Sequence, residues 1–185
     1  MARAQINRLR IVGGEWRSRV LTFPDALGLR PTPDRVRETL FNWLGQDLTG
    51  RRCLDLFAGS GALGFEALSR GATHVDMVER ARPVHDCLQR SAMTLRADAR
   101  LRVIQADALE FLRAGQGQYD VVFLDPPYDS DLLAPALQAL PVHIAPDARI
   151  YAETAAPYQW ERPWDVLKAG RAGAVHYYLL RLGRP

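Results

Sequence analysis

From residue 51 onward, the chain alternates between short apolar runs and segments in which apolar residues recur every three or four positions. The apolar runs predict strands over residues 53–57, 75–79, 101–105, 119–125 and 149–153. The periodic segments between them predict helices over residues 62–69, 83–95, 108–113 and 132–140. Strands and helices that alternate in this way indicate an α/β protein with a doubly wound, mostly parallel sheet.

The two ends of the chain have different patterns. Residues 165–168 and 175–182 flank a glycine-containing turn and predict a terminal hairpin, which would add an antiparallel edge to the sheet. Residues 6–12 and 19–23 predict a second hairpin, interrupted by Gly13 and Gly14. A helix with one apolar stripe follows, for which Thr32 is the expected N-cap and Pro33 the first helical residue.

Composition limits the class of protein. The chain has 185 residues, 48% hydrophobic and 24% charged, which fits one globular domain with a small extension and excludes disorder. Two cysteines cannot form a disulfide framework, and four scattered histidines predict no metal site. The longest charge-free run, residues 132–146, is too short to span a bilayer. No apolar stretch follows the first arginines, so a signal peptide is not expected. We therefore expect a cytoplasmic protein without membrane contact.

Basic residues are concentrated at the start of the chain. Of 24 basic residues all but one are arginine, and eight lie in residues 1–37 against three acidic residues. Codon preference explains the scarcity of lysine but not this clustering. A basic segment on a nearly neutral body is typical of a face that meets a polyanion. The sequence thus predicts a basic N-terminal hairpin arm over residues 1–32 and a second domain over residues 33–185.

A glycine-rich turn follows the first strand of the alternation. Gly59, Gly61 and Gly64 have the spacing that lets backbone amides approach a ligand without a Cβ in the way. Glu79 ends the next strand, where a carboxylate accepts hydrogen bonds from ribose hydroxyls. By itself this pattern also fits a nicotinamide dinucleotide site, or tight packing of strand and helix with no ligand.

Two further carboxylates favour one cofactor. Asp55 lies directly before the turn, where its charge would repel a pyrophosphate but attract a sulfonium. Asp107 ends the third strand, where it can accept from an adenine amino group. The three strand-end acids therefore indicate a cationic adenosyl ligand, S-adenosylmethionine, rather than NAD.

The tetrapeptide Asp125-Pro126-Pro127-Tyr128 follows the fourth strand. Two prolines fix the backbone, so that the Asp125 carboxyl and the Pro126 carbonyl present acceptors in set directions beside the Tyr128 ring. Two acceptors on an exocyclic amine would localise its lone pair, and an aromatic face would hold the base flat. A rigid turn with a core tyrosine is the alternative.

With the glycine turn and this tetrapeptide, residues 11–21 (IVGGEWRSRVL) and 30–42 (RPTPDRVRETLFN) are similar to the RsmD family. These are class I S-adenosylmethionine-dependent methyltransferases that act on 16S ribosomal RNA. The resemblance covers residues 6–182 and implies a seven-stranded sheet with a reversed last strand. It also implies methyl transfer to the N2 amine of one guanine within the assembled small ribosomal subunit. We expect the enzyme to be a monomer.

The resemblance also assigns roles to residues. It implies a cofactor-binding set of Asp55, Phe57, Ala58, Gly59, Gly61, Glu79, Asp107 and Ala108. It implies that Asp125, Pro126, Pro127 and Tyr128 form the catalytic corner. The candidates for contact with RNA are Arg8, Arg10, Arg17, Arg19, Arg30 and Arg37.

Several roles stay open at this point. Arg30, Thr32 and Arg37 flank a helix expected to cover the cofactor pocket, although a capped surface helix with charge pairs is the alternative. Trp16 is expected either to stack on a base or to pack within the hairpin, and a structural role is favoured for Glu153.

Two other functions compete with this interpretation. One is N-methylation of adenine or cytosine in DNA, which is disfavoured because the chain has no room for a target-recognition domain. The other is a non-catalytic RNA-binding assembly factor, which the complete set of motifs disfavours.

Overall fold

A computed structural model describes residues 6–24, 32–97, 99–115 and 117–183 of the chain. The strands are β1 (Ile6–Arg10), β2 (Val20–Pro24), β3 (Arg52–Asp55), β4 (His74–Glu79), β5 (Leu101–Gln105), β6 (Tyr119–Leu124), β7 (Ile144–Thr154), β8 (Trp164–Ala172) and β9 (Val175–Leu182). The helices are α1 (Asp34–Leu44), α2 (Ala62–Ser69), α3 (Arg82–Leu95), α4 (Ala108–Arg113) and α5 (Leu133–Ala139).

A seven-stranded sheet in the order β5-β4-β3-β6-β7-β9-β8 forms the centre of the molecule. The strands from β3 to β7 pair in parallel, whereas β9 runs antiparallel to both β7 and β8. The predicted α/β class, the mostly parallel sheet and the reversed last strand are therefore confirmed. Because the chain order reverses between β3 and β6, a crevice is expected where the carboxyl ends of these two strands meet.

Both faces of the sheet are buried, since successive residues of each central strand enter different hydrophobic clusters. Cys53 and Phe123 pack with α2, α3 and the buried side of α1, whereas Leu54 and Val122 pack with α4 and α5. Strands buried on both sides have continuous apolar sequences, which is why β6 lacks a polar alternation.

The N-terminal hairpin (β1 and β2) packs against this body. Its apolar residues belong to the same core as α1, α2 and α3: Leu9, Ile11, Trp16, Leu21 and Phe23. Packing is thus continuous across the predicted boundary at residue 32. Trp16 is only 3% exposed, and the Arg100 guanidinium lies 5.3 Å from the centre of its ring. Of the two roles expected for Trp16, the structure shows the packing role and not the stacking one.

Several boundaries differ from the prediction for local reasons. Helix α1 begins at Asp34, with Pro33 rather than Thr32 as its N-cap, so the Thr32 side chain is available elsewhere. Helix α5 ends at Ala139 and continues as a 3-10 turn, Leu140–His143, near whose start Pro141 lacks an amide hydrogen. Strand β7 begins five residues earlier than predicted. Among the described residues, no helix is long and apolar enough to cross a membrane.

Candidate active site

A cavity of about 590 Å³ opens at the carboxyl ends of β3, β4, β5 and β6. This volume lies within the range of small-molecule sites, and its place matches the crevice expected from the strand order. The cavity brings together nearly every residue predicted for cofactor and catalysis: Asp55, Phe57, Ala58, Gly59, Glu79, Asp107, Ala108, Asp125, Pro126, Pro127 and Tyr128. The glycine turn and the Asp-Pro-Pro-Tyr corner therefore share one space.

Glu79 ties the glycine turn to the end of β4. Its Oε2 accepts from the Gly59 amide at 3.1 Å, and its Oε1 accepts from the Ala81 amide at 2.7 Å. Gly59 has a φ of +49°, a conformation that a residue with a Cβ adopts only with strain. The carboxylate is thus fixed in place at the wall of the cavity, at the position where the sequence predicts contact with ribose hydroxyls.

Asp55 is buried beneath the turn. Its Oδ2 accepts from the Gly64 amide at 3.0 Å, in the first turn of α2. Burial raises the pKa of Asp55 to about 7, the Gly64 hydrogen bond opposes the shift, and the charge of Glu79 adds to it. Among the described residues no cation acts on this carboxyl, so a positively charged ligand in the cavity would favour its ionised form. This is the environment expected for a sulfonium.

Gly61 is the one member of the predicted cofactor set that the structure does not place in the wall of the cavity. It is the N-cap of α2 with a φ of +79°, and a Cβ there would lie 2.5 Å from the Phe65 ring and 2.7 Å from Leu88. The glycine is required by the turn and by the packing behind it. Spacing alone could not separate a glycine that admits a ligand from one that admits a neighbouring side chain.

Asp107 has a local role in addition to the predicted one. It is the N-cap of α4, and its Oδ1 accepts from the amides of Leu109 at 2.9 Å and Glu110 at 3.2 Å. A cap of this kind fixes the orientation of the carboxylate. The position predicted for adenine recognition is therefore rigid, and Ala108 lies next to it in the wall of the cavity.

The Asp-Pro-Pro-Tyr corner follows β6 directly. Burial raises the pKa of Asp125 well above its ordinary value, and the charges of Glu153 and Asp55 add to this shift. Pro126 is buried, whereas Tyr128 is 51% exposed. The alternative of a core tyrosine is thus not what the structure shows, and the Tyr128 ring is accessible to a base.

The importance of Thr32 and Glu153 to the site was underestimated from the sequence. Thr32 is buried in the wall of the cavity, and its side chain opposes the upward shift that burial gives to the pKa of Asp125 and of Glu153. Glu153 is 2% exposed, and its Oε1 accepts from the Tyr151 hydroxyl at 2.7 Å. The position of Glu153 near the end of a strand beside β6 was the one available indication of a role for it.

The arginines predicted to contact RNA divide into three groups. Arg8, Arg17 and Arg19 are exposed on the N-terminal hairpin and its turn, as is Arg10, which also pairs with Asp34 at 3.0 Å. Arg30 lies outside the described residues.

Arg37 is a correction, because its side chain is fully buried and cannot meet a phosphate. Its Nη1 pairs with Glu66 Oε2 at 3.0 Å and its Nη2 with Asp34 Oδ1 at 2.6 Å. The same guanidinium also donates to the Thr32 carbonyl at 3.2 Å and to the Arg10 carbonyl at 2.7 Å. Arg37 therefore joins the hairpin, α1 and α2, and its partners Arg10 and Glu66 are too distant in sequence for spacing to reveal them.

The residues of the cavity fit the cofactor predicted from the sequence. The buried Asp55 lacks a cationic partner among the groups that act on it, Glu79 presents a fixed carboxylate, and Asp107 presents another at the next strand end. Within the described ranges, no group of three or more potential metal ligands is arranged around a common centre.

Comparison with known proteins gives one consistent family. The family model described as Conserved hypothetical protein 95 matches residues 9–181. Ribosomal RNA small subunit methyltransferase D of Escherichia coli K12 is 46% identical over 149 residues, which cover 80% of this chain and 75% of that protein. The Haemophilus influenzae protein of the same name is 43% identical over 178 residues, covering 92% of each chain.

Solved structures give the same result. The yhhF protein of Escherichia coli superimposes with a TM-score of 0.86 at 41% identity, covering 97% of this chain and all (100%) of that one. The Haemophilus influenzae protein HI0767 superimposes with a TM-score of 0.81 at 39% identity, covering 96% of this chain and 100% of that one. The family expected from the N-terminal motifs and the Asp-Pro-Pro-Tyr corner is thereby confirmed: the chain belongs to the ribosomal RNA small subunit methyltransferase D family.

Proposed function

We propose that this protein transfers a methyl group from S-adenosylmethionine to the N2 amine of a guanine in 16S ribosomal RNA. The observation that carries the proposal is that the glycine turn and the Asp-Pro-Pro-Tyr corner line the same cavity. The names of the relatives support ribosomal RNA of the small subunit as the substrate. The guanine-N2 target follows from the family resemblance of the sequence.

The residues of the corner have separate tasks in this reaction. When bound, S-adenosylmethionine supplies an electrophilic methyl group. The Asp125 carboxyl and the Pro126 carbonyl accept hydrogen bonds from the amine and aim its lone pair at that group. Tyr128, half exposed beside them, holds the base by its ring face. Burial of Asp125 makes these interactions stronger than they would be in water.

The exposed arginines of the N-terminal hairpin supply the proposed contacts with RNA. Arg8, Arg17 and Arg19 point the excess charge of the first residues toward solvent, as a phosphate-binding surface requires. We propose that the enzyme acts as a monomer on the assembled small subunit, and hence in the cytoplasm.

The test uses small subunits and naked 16S ribosomal RNA from a strain that lacks this gene. Each is incubated with the protein and labelled S-adenosylmethionine, and the RNA is digested to nucleosides. We expect label in N2-methylguanosine, with a preference for subunits over naked RNA. Label in another nucleoside, or in DNA supplied in parallel, would overturn the guanine assignment.

Asp125→Ala separates chemistry from binding in the same assay. We expect methyl transfer to be lost while S-adenosylmethionine still binds, as measured by isothermal titration calorimetry. NAD provides the control ligand, because a dinucleotide site would bind it. Retained turnover in Asp125→Ala would contradict the proposed role of this corner.

A further inference from the structure

A second groove lies between the turn of the N-terminal hairpin and helix α1. It has a volume of about 430 Å³, and its described lining residues are all different from those of the cofactor cavity. The hairpin turn, including Arg17, forms one wall, and Glu38, Asn42 and Gln46 form the other. Arg70, directly after the end of α2, also lines the groove. The methyl-transfer step described above gives this groove no task.

Arg70 is held in a fixed orientation at this groove. Its side chain is 7% exposed, its Nε donates to Glu66 Oε1 at 2.9 Å, and its Nη1 donates to Gln46 Oε1 at 3.0 Å. The guanidinium carbon lies 4.8 Å from the centre of the Phe41 ring. Among the described residues, none accepts a hydrogen bond from its Nη2. A charged donor of fixed position is therefore left for a ligand.

Gly13 allows this guanidinium to approach the hairpin. A Cβ at this position would lie 2.3 Å from Arg70 Nη2 and 2.5 Å from Arg70 Cζ. Any side chain here would displace a guanidinium that two hydrogen bonds hold in place. The unused donor consequently lies beside the hairpin turn, which is one wall of the groove.

The contact with Arg70 also fixes a second donor. Arginine has no acceptor, so Gln46 must turn its Oε1 toward Arg70 and its Nε2 toward Asn42. Gln46 Nε2 donates to Asn42 Oδ1 at 2.5 Å, which leaves the Asn42 amide nitrogen with its two protons. Asn42 is exposed at the wall of the groove. The groove therefore presents two donors whose orientation the protein sets in advance.

Positive charge is in excess around these donors. Glu66 carries one negative charge and pairs with both Arg37 and Arg70. Asp34 likewise pairs with both Arg10 and Arg37. Two carboxylates thus face three guanidinium groups. An anion near Arg70 would reduce the repulsion among these guanidinium groups.

Arg17 and Glu38 set the charge at the rim of the groove. Both are exposed and line it. Arg17 offers a third group of donors, in the planar geometry that suits phosphate oxygens. Glu38 is the one acidic side chain among the described residues of the lining, and it would repel an anion. No aromatic ring is among those residues, so the groove offers a base nothing to stack on.

We propose that this groove binds a phosphate of the RNA backbone, which accepts hydrogen bonds from Arg70 Nη2, the Asn42 amide and the Arg17 guanidinium. This inference rests on the proposed function, because the phosphate belongs to the same substrate RNA. Helix α2 begins at the cofactor turn and ends next to Arg70, and its 8 residues span about 12 Å. The phosphate accordingly lies outside the target nucleotide, and the contact positions the RNA without reading its sequence.

Two exposed side chains test the groove and leave the buried contacts of Arg70 intact. Asn42→Asp keeps an acceptor for Gln46 but replaces the donor with a negative charge, and Glu38→Gln removes the repelling charge. Affinity is measured by filter binding with small subunits from a strain that lacks this gene, without S-adenosylmethionine. We expect Asn42→Asp to weaken binding about tenfold and Glu38→Gln to tighten it about threefold.

The matched controls carry the same changes of charge on the opposite layer of helices. Glu110 of α4 and Gln138 of α5 are exposed, and both helices pack on the other face of the sheet from α1 and α2. We expect Glu110→Gln and Gln138→Glu to change affinity by less than about twofold. Equal effects at the groove and at the controls, or no effect at the groove, would overturn the proposal, since the RNA would then not be bound at this place.

Inorganic phosphate distinguishes an RNA backbone from a small phosphorylated ligand. Calorimetry with inorganic phosphate should give a dissociation constant weaker than about 1 mM, because a single phosphate lacks the other contacts of the RNA. A tighter dissociation constant that Asn42→Asp weakens would replace RNA by a small ligand as the occupant of the groove.

The binding and methylation assays distinguish this inference from the proposed function. If the groove variants change affinity as expected but no guanine is methylated, the proposed function is wrong and the groove still binds RNA. If guanine N2 is methylated but the groove variants bind as the unmodified protein does, the groove proposal alone is wrong.

Discussion

The buried pair of Glu66 and Arg37 allows a sharp test of what holds the N-terminal hairpin to the cofactor-binding body. Glu66 has no exposed surface, and its oxygens accept from four donors. Arg37 and Arg70 donate from their guanidinium groups, and Val12 and Gly13 donate from their amides at 2.9 and 2.8 Å. Glu66→Gln keeps the shape of the side chain but removes the charge and turns an acceptor into a donor.

The expected cost follows from what the substitution leaves behind. Arg37 would be buried with its charge matched by Asp34 alone, and at least one buried donor would lose its acceptor. Breaking a buried ion pair costs about 3–5 kcal/mol, so the unfolding equilibrium constant should rise about 10²- to 10³-fold or more. This is a large share of the roughly 5–15 kcal/mol that stabilises a domain.

Urea unfolding followed by circular dichroism measures this loss, at low temperature so that the variant is still folded at the start. Asp34→Asn is the matched control, since Asp34 pairs with the same Arg37 but its side chain is 43% exposed and water can replace it. The control should lose less than about 1 kcal/mol. If the free energy of unfolding of Glu66→Gln lies within about 1 kcal/mol of that of the unmodified protein, the buried pair does not hold the hairpin to the body.

Three further predictions concern the cofactor site, the hairpin and the RNA surface. The native pKa of Asp55 is raised to about 7, whereas its ordinary value is 3.8. Between these two values the acid is protonated in the native state and ionised in the unfolded state. The stability of the protein without cofactor should therefore fall as pH rises through that window. Affinity for S-adenosylmethionine should rise over the same window as the carboxylate forms, a dependence that calorimetry should find flattened in Asp55→Asn. Gly14→Ala should destabilise the fold by about 2 kcal/mol or more in thermal unfolding, since its Cβ would lie 1.8 Å from a backbone oxygen of α2. Gly45→Ala, also at positive φ but with nothing within 4 Å, should cost less, and equal losses would contradict the contact argument. Affinity for RNA should fall steeply with salt, and Arg8→Ala and Arg19→Ala should each reduce that slope by about one unit in filter binding, whereas a flat response would remove the hairpin from the RNA interface.

The central strands β3, β4 and β6 were predictable because their apolar runs are buried on both faces. Strands β5 and β9 and helices α2 and α4 have the predicted bounds, and β6 ends one residue early. Strand β7 was the largest miss, since Pro146 and Asp147 interrupt its apolar pattern near a register shift against β6. A bulge of this kind depends on the partner strand, which sequence periodicity does not contain.

The meeting of the predicted site residues in one cavity was predictable where it depended on positions at strand ends. Asp55, Glu79 and Asp125 lie at such ends, and parallel strands bring their carboxyl ends to one edge. Contacts between distant segments were not predictable. The burial of Arg37 depends on Glu66, which lies in another helix. The position of Thr32 near Asp125 is likewise not suggested by its place in the sequence just before α1.

The shared core of the hairpin and the sheet has a consequence for how a base is selected. Leu9 and Phe23 are anchored in the same cluster as Phe65 beneath the cofactor turn, so the protein itself sets the span from Arg8 and Arg19 to the methyl donor. If those arginines bind phosphates, the target base must lie at a fixed distance from those phosphates. A base at another distance from the bound phosphates could not reach the methyl donor, whatever its identity. A folded ribonucleoprotein would present few bases at the required distance.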